Sequence, residues 1–163
     1  MKAKIFLDTN IIIDYIGHRA HFLPAATLMD MGCRGEVDLF MTNLSITNTL
    51  YILRKEIGTE AAKDCLKKLC SFIRIAPSTQ YEAEQAFKTP NPDFEDALQY
   101  FSAMTVEADV IITRNEKHFK YSSIPVMDAN TYLDGRNYGY NRTGKNNLIV
   151  NEEQIVYLRK SVD

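Results

Sequence analysis

The chain has 163 residues, a formal charge of −2, 45% hydrophobic and 25% charged residues, and only 5 Pro and 7 Gly. That is one domain of ordinary globular sequence, long enough for a core without disulfides or a structural metal. The charge excludes a protein that coats nucleic acid non-specifically, though it leaves room for a local basic patch.

Strand and helix signals alternate from the start. Lys4 to Leu7 reads as a strand, and Ile11-Ile12-Ile13 opens a short helix ending near Gly17. Pro24 to Cys33 reads as a helix closed by Gly35, and Val37 to Thr42 as a second strand. Ser45 is the expected N-cap of a helix through about Lys55. Thr59 to Cys70 follows as a helix with Ala61, Cys65, Leu66 and Leu69 at core spacing. Phe72 to Ala76 is strand-like, Pro77 breaks it, and Ser78 or Thr79 caps the next helix. After the loop marked by Pro90 and Pro92, Asp93 to Val106 is a helix and Val110 to Thr113 a buried strand. Pro125 to Met127 gives a last short strand before a turn or helix at Asp128 to Leu133. Strands separated by helices predict an α/β fold with a mostly parallel sheet covered on both faces.

From Asp134 to Asn147 the sequence turns polar, glycine-punctuated and aromatic, and reads as a long loop. Its Arg136, Arg142 and Lys145, with two tyrosines, suit RNA through phosphate contact and stacking, while a solvated loop or subunit contact is the plainer reading. Leu148 to Val150 and Ile155 to Leu158 suggest a terminal strand and helix, or a segment docked on a partner. Lys2 and Lys4 precede no long apolar run, so a signal peptide is not expected, and no stretch approaches the roughly 18 apolar residues of a membrane span. Cys33, Cys65 and Cys70 form no CxxC pair and read as free thiols in or near helical cores of a cytoplasmic protein.

Chemistry is suggested at one edge of the sheet. Asp8 directly follows the first strand, where ligands bind in open α/β sheets, with Thr9 and Asn10 beside it. A carboxylate there suits a hard cation such as Mg²⁺ or Mn²⁺. Asp93 and Asp96 open a helix; Asp93 reads as its N-cap and Asp96 as the reciprocal capping position, so helix geometry alone accounts for both. Glu95 is expected to point elsewhere and be exposed. If Asp8 and Asp96 converge instead, they would bind divalent ions that activate water and steady charge on a phosphodiester. Thr113 ends its strand at the same edge, placed to orient a metal-bound water or to hold a carboxylate. Asn115 and His118 follow it. His118 reads as general acid, metal ligand or half-buried structural residue, and Arg114 as a phosphate contact or a helix start.

Four stretches together resemble the PIN-domain family, particularly the VapC-like ribonuclease toxins of type II toxin–antitoxin systems. They are Phe6-Leu7-Asp8-Thr9-Asn10, Leu50-Tyr51-Ile52-Leu53-Arg54-Lys55, Asp93-Phe94-Glu95-Asp96-Ala97-Leu98-Gln99, and Ile111-Ile112-Thr113-Arg114-Asn115 through Phe119. The resemblance covers about Lys4 to Leu133. It makes residues 1–134 a PIN-like domain and 135–163 a C-terminal extension of loop and short strand or helix, not an independent domain. It implies a three-layer α/β/α fold and, in active members, Mg²⁺- or Mn²⁺-dependent cleavage of RNA. Asp8 then falls on the family's first acid and Asp96 on its third, as metal ligands, with Thr113 and Asn115 catalytic and Asn10 and Asp93 auxiliary. The second acid, usually glutamate, is here Asn48, and an aspartate frequent before the phenylalanine is here His118. Fewer carboxylates should weaken cation binding, since affinity follows ligand charge. Asp93, Glu95 or Asp14 is left to compensate, though Asp14, a turn and a half beyond Asp8, is expected to face elsewhere. The resemblance further implies a homodimer and a cognate antitoxin.

Three readings follow: a metal-dependent endoribonuclease cutting structured or tRNA-like RNA, a non-catalytic PIN-like module binding RNA or protein, and a plain α/β scaffold whose acids only cap helices. The separation of Asp8 and Asp96 divides the last from the others.

Overall fold

The computed structural model describes residues 1–90 and 93–140. The expected loop residues 141–147 and the terminal segments from Leu148 onward lie outside the described residues, as do Arg142 and Lys145.

Five strands are described: β1 (Lys4–Leu7), β2 (Asp38–Thr42), β3 (Ile73–Ala76), β4 (Val110–Ile112) and β5 (Val126–Met127). They form one parallel sheet in the order β3-β2-β1-β4-β5. β1 is central, with Ile5 opposite Leu39 on one side and Val110 on the other. Ile5, Phe6 and Leu7 are all fully buried, because a central parallel strand is covered on both faces. Burying each such side chain stabilises by about 1.5–3 kcal/mol.

Alternation along β1 divides the core. Ile5 and Leu7 pack with Ile12, Leu28, Leu53, Leu66 and Ala129, while Phe6 packs with Tyr100, Ala103 and Phe119. On the first face lie α1 (Thr9–Ile16), α2 (Phe22–Cys33), α3 (Asn43–Leu53), α4 (Thr59–Leu69) and α7 (Ala129–Tyr140). On the second lie α6 (Phe94–Thr105) and the 3-10 turn Glu116–Phe119, with α5 (Gln80–Lys88) packed on α6. The result is the expected three-layer α/β/α fold.

Several local expectations need correction. Thr42, not Ser45, caps α3: the Thr42 hydroxyl accepts from Ser45 N at 3.1 Å, because the strand already ends at Thr42. On α4 the buried stripe is Ala62, Leu66 and Leu69 rather than one through Ala61. Cys33 and Cys70 are exposed and only Cys65 is half-buried. The chain from Asp134 to Tyr140 is helical, not loop, as the last part of α7. That helix starts on Asp128, whose carboxylate accepts from Thr131 N at 2.9 Å, and Ala129, Tyr132 and Leu133 at helical spacing hold it on the core.

Candidate active site

The carboxyl ends of β1 and β4 meet where the chain leaves the sheet in opposite directions. Asp8 N donates to Ile112 O at 3.0 Å, continuing the β1–β4 ladder one residue past the strand. Asp8 occupies the N-cap position of α1, yet its side chain makes no capping bond. Instead Oδ2 accepts from Thr113 Oγ1 at 2.6 Å and from Asn10 Nδ2. Asn10 Nδ2 also lies 3.2 Å from Thr113 Oγ1, its Oδ1 accepts from Arg114 N at 3.3 Å, and Asn115 N donates to Thr113 Oγ1 at 2.9 Å. Thr113 and Asn10 therefore clamp Asp8, as the strand-end position of Thr113 suggested.

Asp96 comes from the opposite layer. Asp93 is the N-cap of α6, accepting from Glu95 N at 3.0 Å and Asp96 N at 3.3 Å. The reciprocal capping role expected for Asp96 is not taken: its Oδ2 faces His118 Nδ1 at 2.7 Å, drawn there by an imidazole across the groove. Asp96 is 8% exposed and Asp8 4%. Burial raises the Asp8 pKa, opposed in part by the hydrogen bonds from Thr113 and Gln99. Burial first, and then the negative charge of Asp8, push Asp96 up to about 6. Neither the Asp8 nor the Asp96 side chain takes the capping role that the scaffold reading gives it. One part of it survives, because Asp93 does cap α6.

Around Asp96, ligand atoms of Asp93, Asp96 and His118 lie within 4.8 Å of one another. The His118 side chain is about half exposed, and its ring nitrogen Nδ1 is bonded to Asp96. Two sequence-predicted residues stay apart from this network among the described residues: the side chains of Asn48 and Asn115 make no hydrogen bond to it. Arg114 Nε lies 3.0 Å from the buried Asp14 Oδ2, so its charge already has a carboxylate partner.

Two residues were missed, and a third, Glu95, was placed on the wrong side of its helix. Glu95 is half-buried, not exposed, and its Oε1 lies 3.2 Å from Thr9 Oγ1. Gln99 is 1% exposed, with Nε2 3.4 Å from Glu95 Oε1. Ser45 Oγ lies 2.9 Å from Thr9 Oγ1. The signal for Gln99 was its spacing, three residues from Asp96 and four from Glu95 on one helix, which places it beside both.

The donor set suits a hard divalent cation: carboxylate oxygens converge with one imidazole, and Gln99 Oε1 is buried with no hydrogen-bond partner. Clustered buried carboxylates also favour added positive charge.

A PIN domain profile matches residues 4–117, and the chain belongs to the PIN domain family. No curated protein matches the chain significantly. Solved structures share the fold. The Mycobacterium tuberculosis VapC20 structure, described as a sarcin–ricin loop cleaving toxin, is 17% identical with a TM-score of 0.55, covering 66% of this chain and 86% of its own. VapBC2 from Rickettsia felis, bound to a promoter DNA fragment, is 18% identical with a TM-score of 0.58, covering 77% and 98%. DNA-bound VapBC from Salmonella typhimurium is 16% identical with a TM-score of 0.58, covering 78% and 98%. Among the described residues no helix is long and apolar enough to cross a membrane.

Proposed function

We propose that the protein is a divalent-metal-dependent endoribonuclease of the VapC-like toxin type, hydrolysing phosphodiesters of a structured RNA. The observation that carries this reading is that Asp8, buried at the carboxyl end of β1, is clamped by Thr113 and Asn10 rather than spent on a helix cap, with a second buried acid, Asp96, in the first turn of α6.

Asp8 and Asp96 are the residues that hold Mg²⁺ or Mn²⁺, with Asp93 and His118 beside Asp96 as further donors. A cation held by these residues would supply Lewis acidity toward a water and positive charge against the phosphate. Thr113 and Asn10 fix the Asp8 carboxylate in one orientation, so little reorganisation is left for the reaction. His118, with Nδ1 bonded to Asp96, has only Nε2 left. That nitrogen serves either as the further donor to the cation or for proton exchange with the departing oxygen, not both at once. Asn115 lies at the same turn as Thr113 and serves as an auxiliary polar contact to substrate. The structural likeness to VapBC assemblies supports a cognate antitoxin as partner, while a homodimer rests on the family resemblance alone.

The test is cleavage of a panel of structured RNAs with Mn²⁺. Asp8→Asn and Asp96→Asn should each abolish cutting while leaving the protein folded; cleavage retained in both sinks the assignment. The neutral Asn48 and the His118–Asp96 bond favour a second reading, a non-catalytic binding module. Absence of both Mn²⁺ binding at millimolar concentrations and cleavage of any RNA in the panel would decide for it.

A further inference from the structure

Glu95 precedes Asp96 on α6, yet its side chain turns into the pocket. Its Oε1 lies 3.2 Å from Thr9 Oγ1 and 3.4 Å from Gln99 Nε2. Both contacts use the same oxygen, so Oε2 takes neither. Thr9 adjoins Asp8 in the chain and is 6% exposed. Its hydroxyl also lies 2.9 Å from Ser45 Oγ, which is 3.1 Å from Thr42 Oγ1. A carboxylate only accepts, so the single Thr9 hydroxyl proton goes either to Ser45 Oγ or to Glu95 Oε1, and in the second arrangement it fixes the Glu95 carboxylate in place.

Gln99 supplies the second, independent observation. Its amide hydrogen-bonds the Glu95 carboxylate and lies near enough to Asp8 to favour that acid's charged form, while its own Oε1 is buried without a partner. One neutral amide thus serves two acids and leaves another acceptor unsatisfied among them. Such a set of oxygens is short of positive charge. α3 contributes no acid here: Ser45 touches Thr9, and Asn48, three residues on along the same helix face, is neutral.

We propose that Glu95 is a further carboxylate ligand of the metal pocket, supplying from α6 the negative charge that α3 lacks. This inference rests on the metal-dependent reading of the site and adds to it a residue that Asp8 and Asp96 do not by themselves require. A purely structural Glu95 would hold Thr9 and Gln99 and nothing else.

Glu95→Gln separates the two roles, because the amide oxygen still accepts from Thr9 while the charge is gone. Mn²⁺ affinity is measured by calorimetry, and bound Mn²⁺ by its paramagnetic resonance signal, on the full chain, with the melting temperature of the metal-free protein as control. Glu95→Gln should weaken Mn²⁺ binding roughly tenfold or more without lowering that melting temperature. Unchanged affinity in Glu95→Gln, with affinity lost in Asp8→Asn, overturns the role of Glu95 and leaves the metal-dependent reading standing. Failure of the unaltered protein to bind Mn²⁺ overturns both. Should Glu95→Gln not fold, Glu95→Ala is read by the same criteria.

Discussion

Arg114 Nε lies 3.0 Å from Asp14 Oδ2, joining the turn after β4 to the middle of α1. Asp14 is fully buried, whereas the Arg114 side chain is 37% exposed, so the guanidinium covers the carboxylate from the solvent side. The Asp14 oxygens form no well-aligned hydrogen bond, which leaves close-range charge attraction as what offsets their burial. Because Arg114 N also donates to Asn10, the turn carrying Thr113 is fastened to α1 twice.

Removing one partner of that pair strands the other. Arg114→Ala should cost about 3 kcal/mol by leaving a buried carboxylate uncompensated, while replacing Arg114 and Asp14 together by leucine should cost less. A double-mutant cycle by urea unfolding checks this. A single-variant cost equal to or below that of the double variant would refute it.

Asp96 makes the metal-free protein less stable as pH rises. Its pKa is about 6 when folded against 3.8 ordinarily, so the folded chain binds the extra proton between those values. The proton's contribution is complete below 3.8 and is lost as pH rises through about 6. In chelator, Asp96→Asn should therefore gain on the unaltered protein from acid to neutral pH. Parallel stability curves for the two proteins would contradict this.

Glu82 should act in the opposite sense. Burial opposes its charge, but hydrogen bonds from the hydroxyls of Thr79 and Thr105 and from Thr79 N together hold it down to about 2. Its contribution is present above 4.5 and lost as pH falls through about 2. Glu82→Gln should cost roughly 2–3 kcal/mol at neutral pH, with the gap narrowing in acid. Chemical denaturation across that range gives the difference directly.

Gly32 marks the closest approach of α2 to the sheet. An added Cβ would meet Leu39 Cγ at 2.8 Å, and Leu39 Cδ1 closer still. Leu39 is fully buried in β2 and has little room to move. Gly32→Ala should destabilise by about 1–3 kcal/mol despite the better helix propensity of alanine, read as a lower melting temperature.

The strands were legible because burial on both faces writes unbroken apolar runs such as Ile5-Phe6-Leu7 and Val110-Ile111-Ile112. Asp8, Asp96 and Thr113 were legible because each sits at an element end facing the same sheet edge. What escaped depended on contacts between layers. Glu95 looked like an exposed neighbour of Asp96, and only the approach of Thr9 and Gln99 brings it inward. Asp96 looked like half of a capping box, and only His118 across the groove redirects it. Asp14 was expected to face away from the acids, and no local pattern announces that it meets Arg114 100 positions later.

The bond between Thr113 and Asp8 spans 105 positions in the chain, and this sets an order of assembly. During synthesis from the N-terminus, all the pocket's carboxylates, from Asp8 through Asp96, are made before the hydroxyl that grips the first of them. Until β4 arrives, β1 has an unpaired side, and such distant parallel pairing is slow to form. A chain cut short before Val110 would carry every acid of the site and, of the clamp, only Asn10.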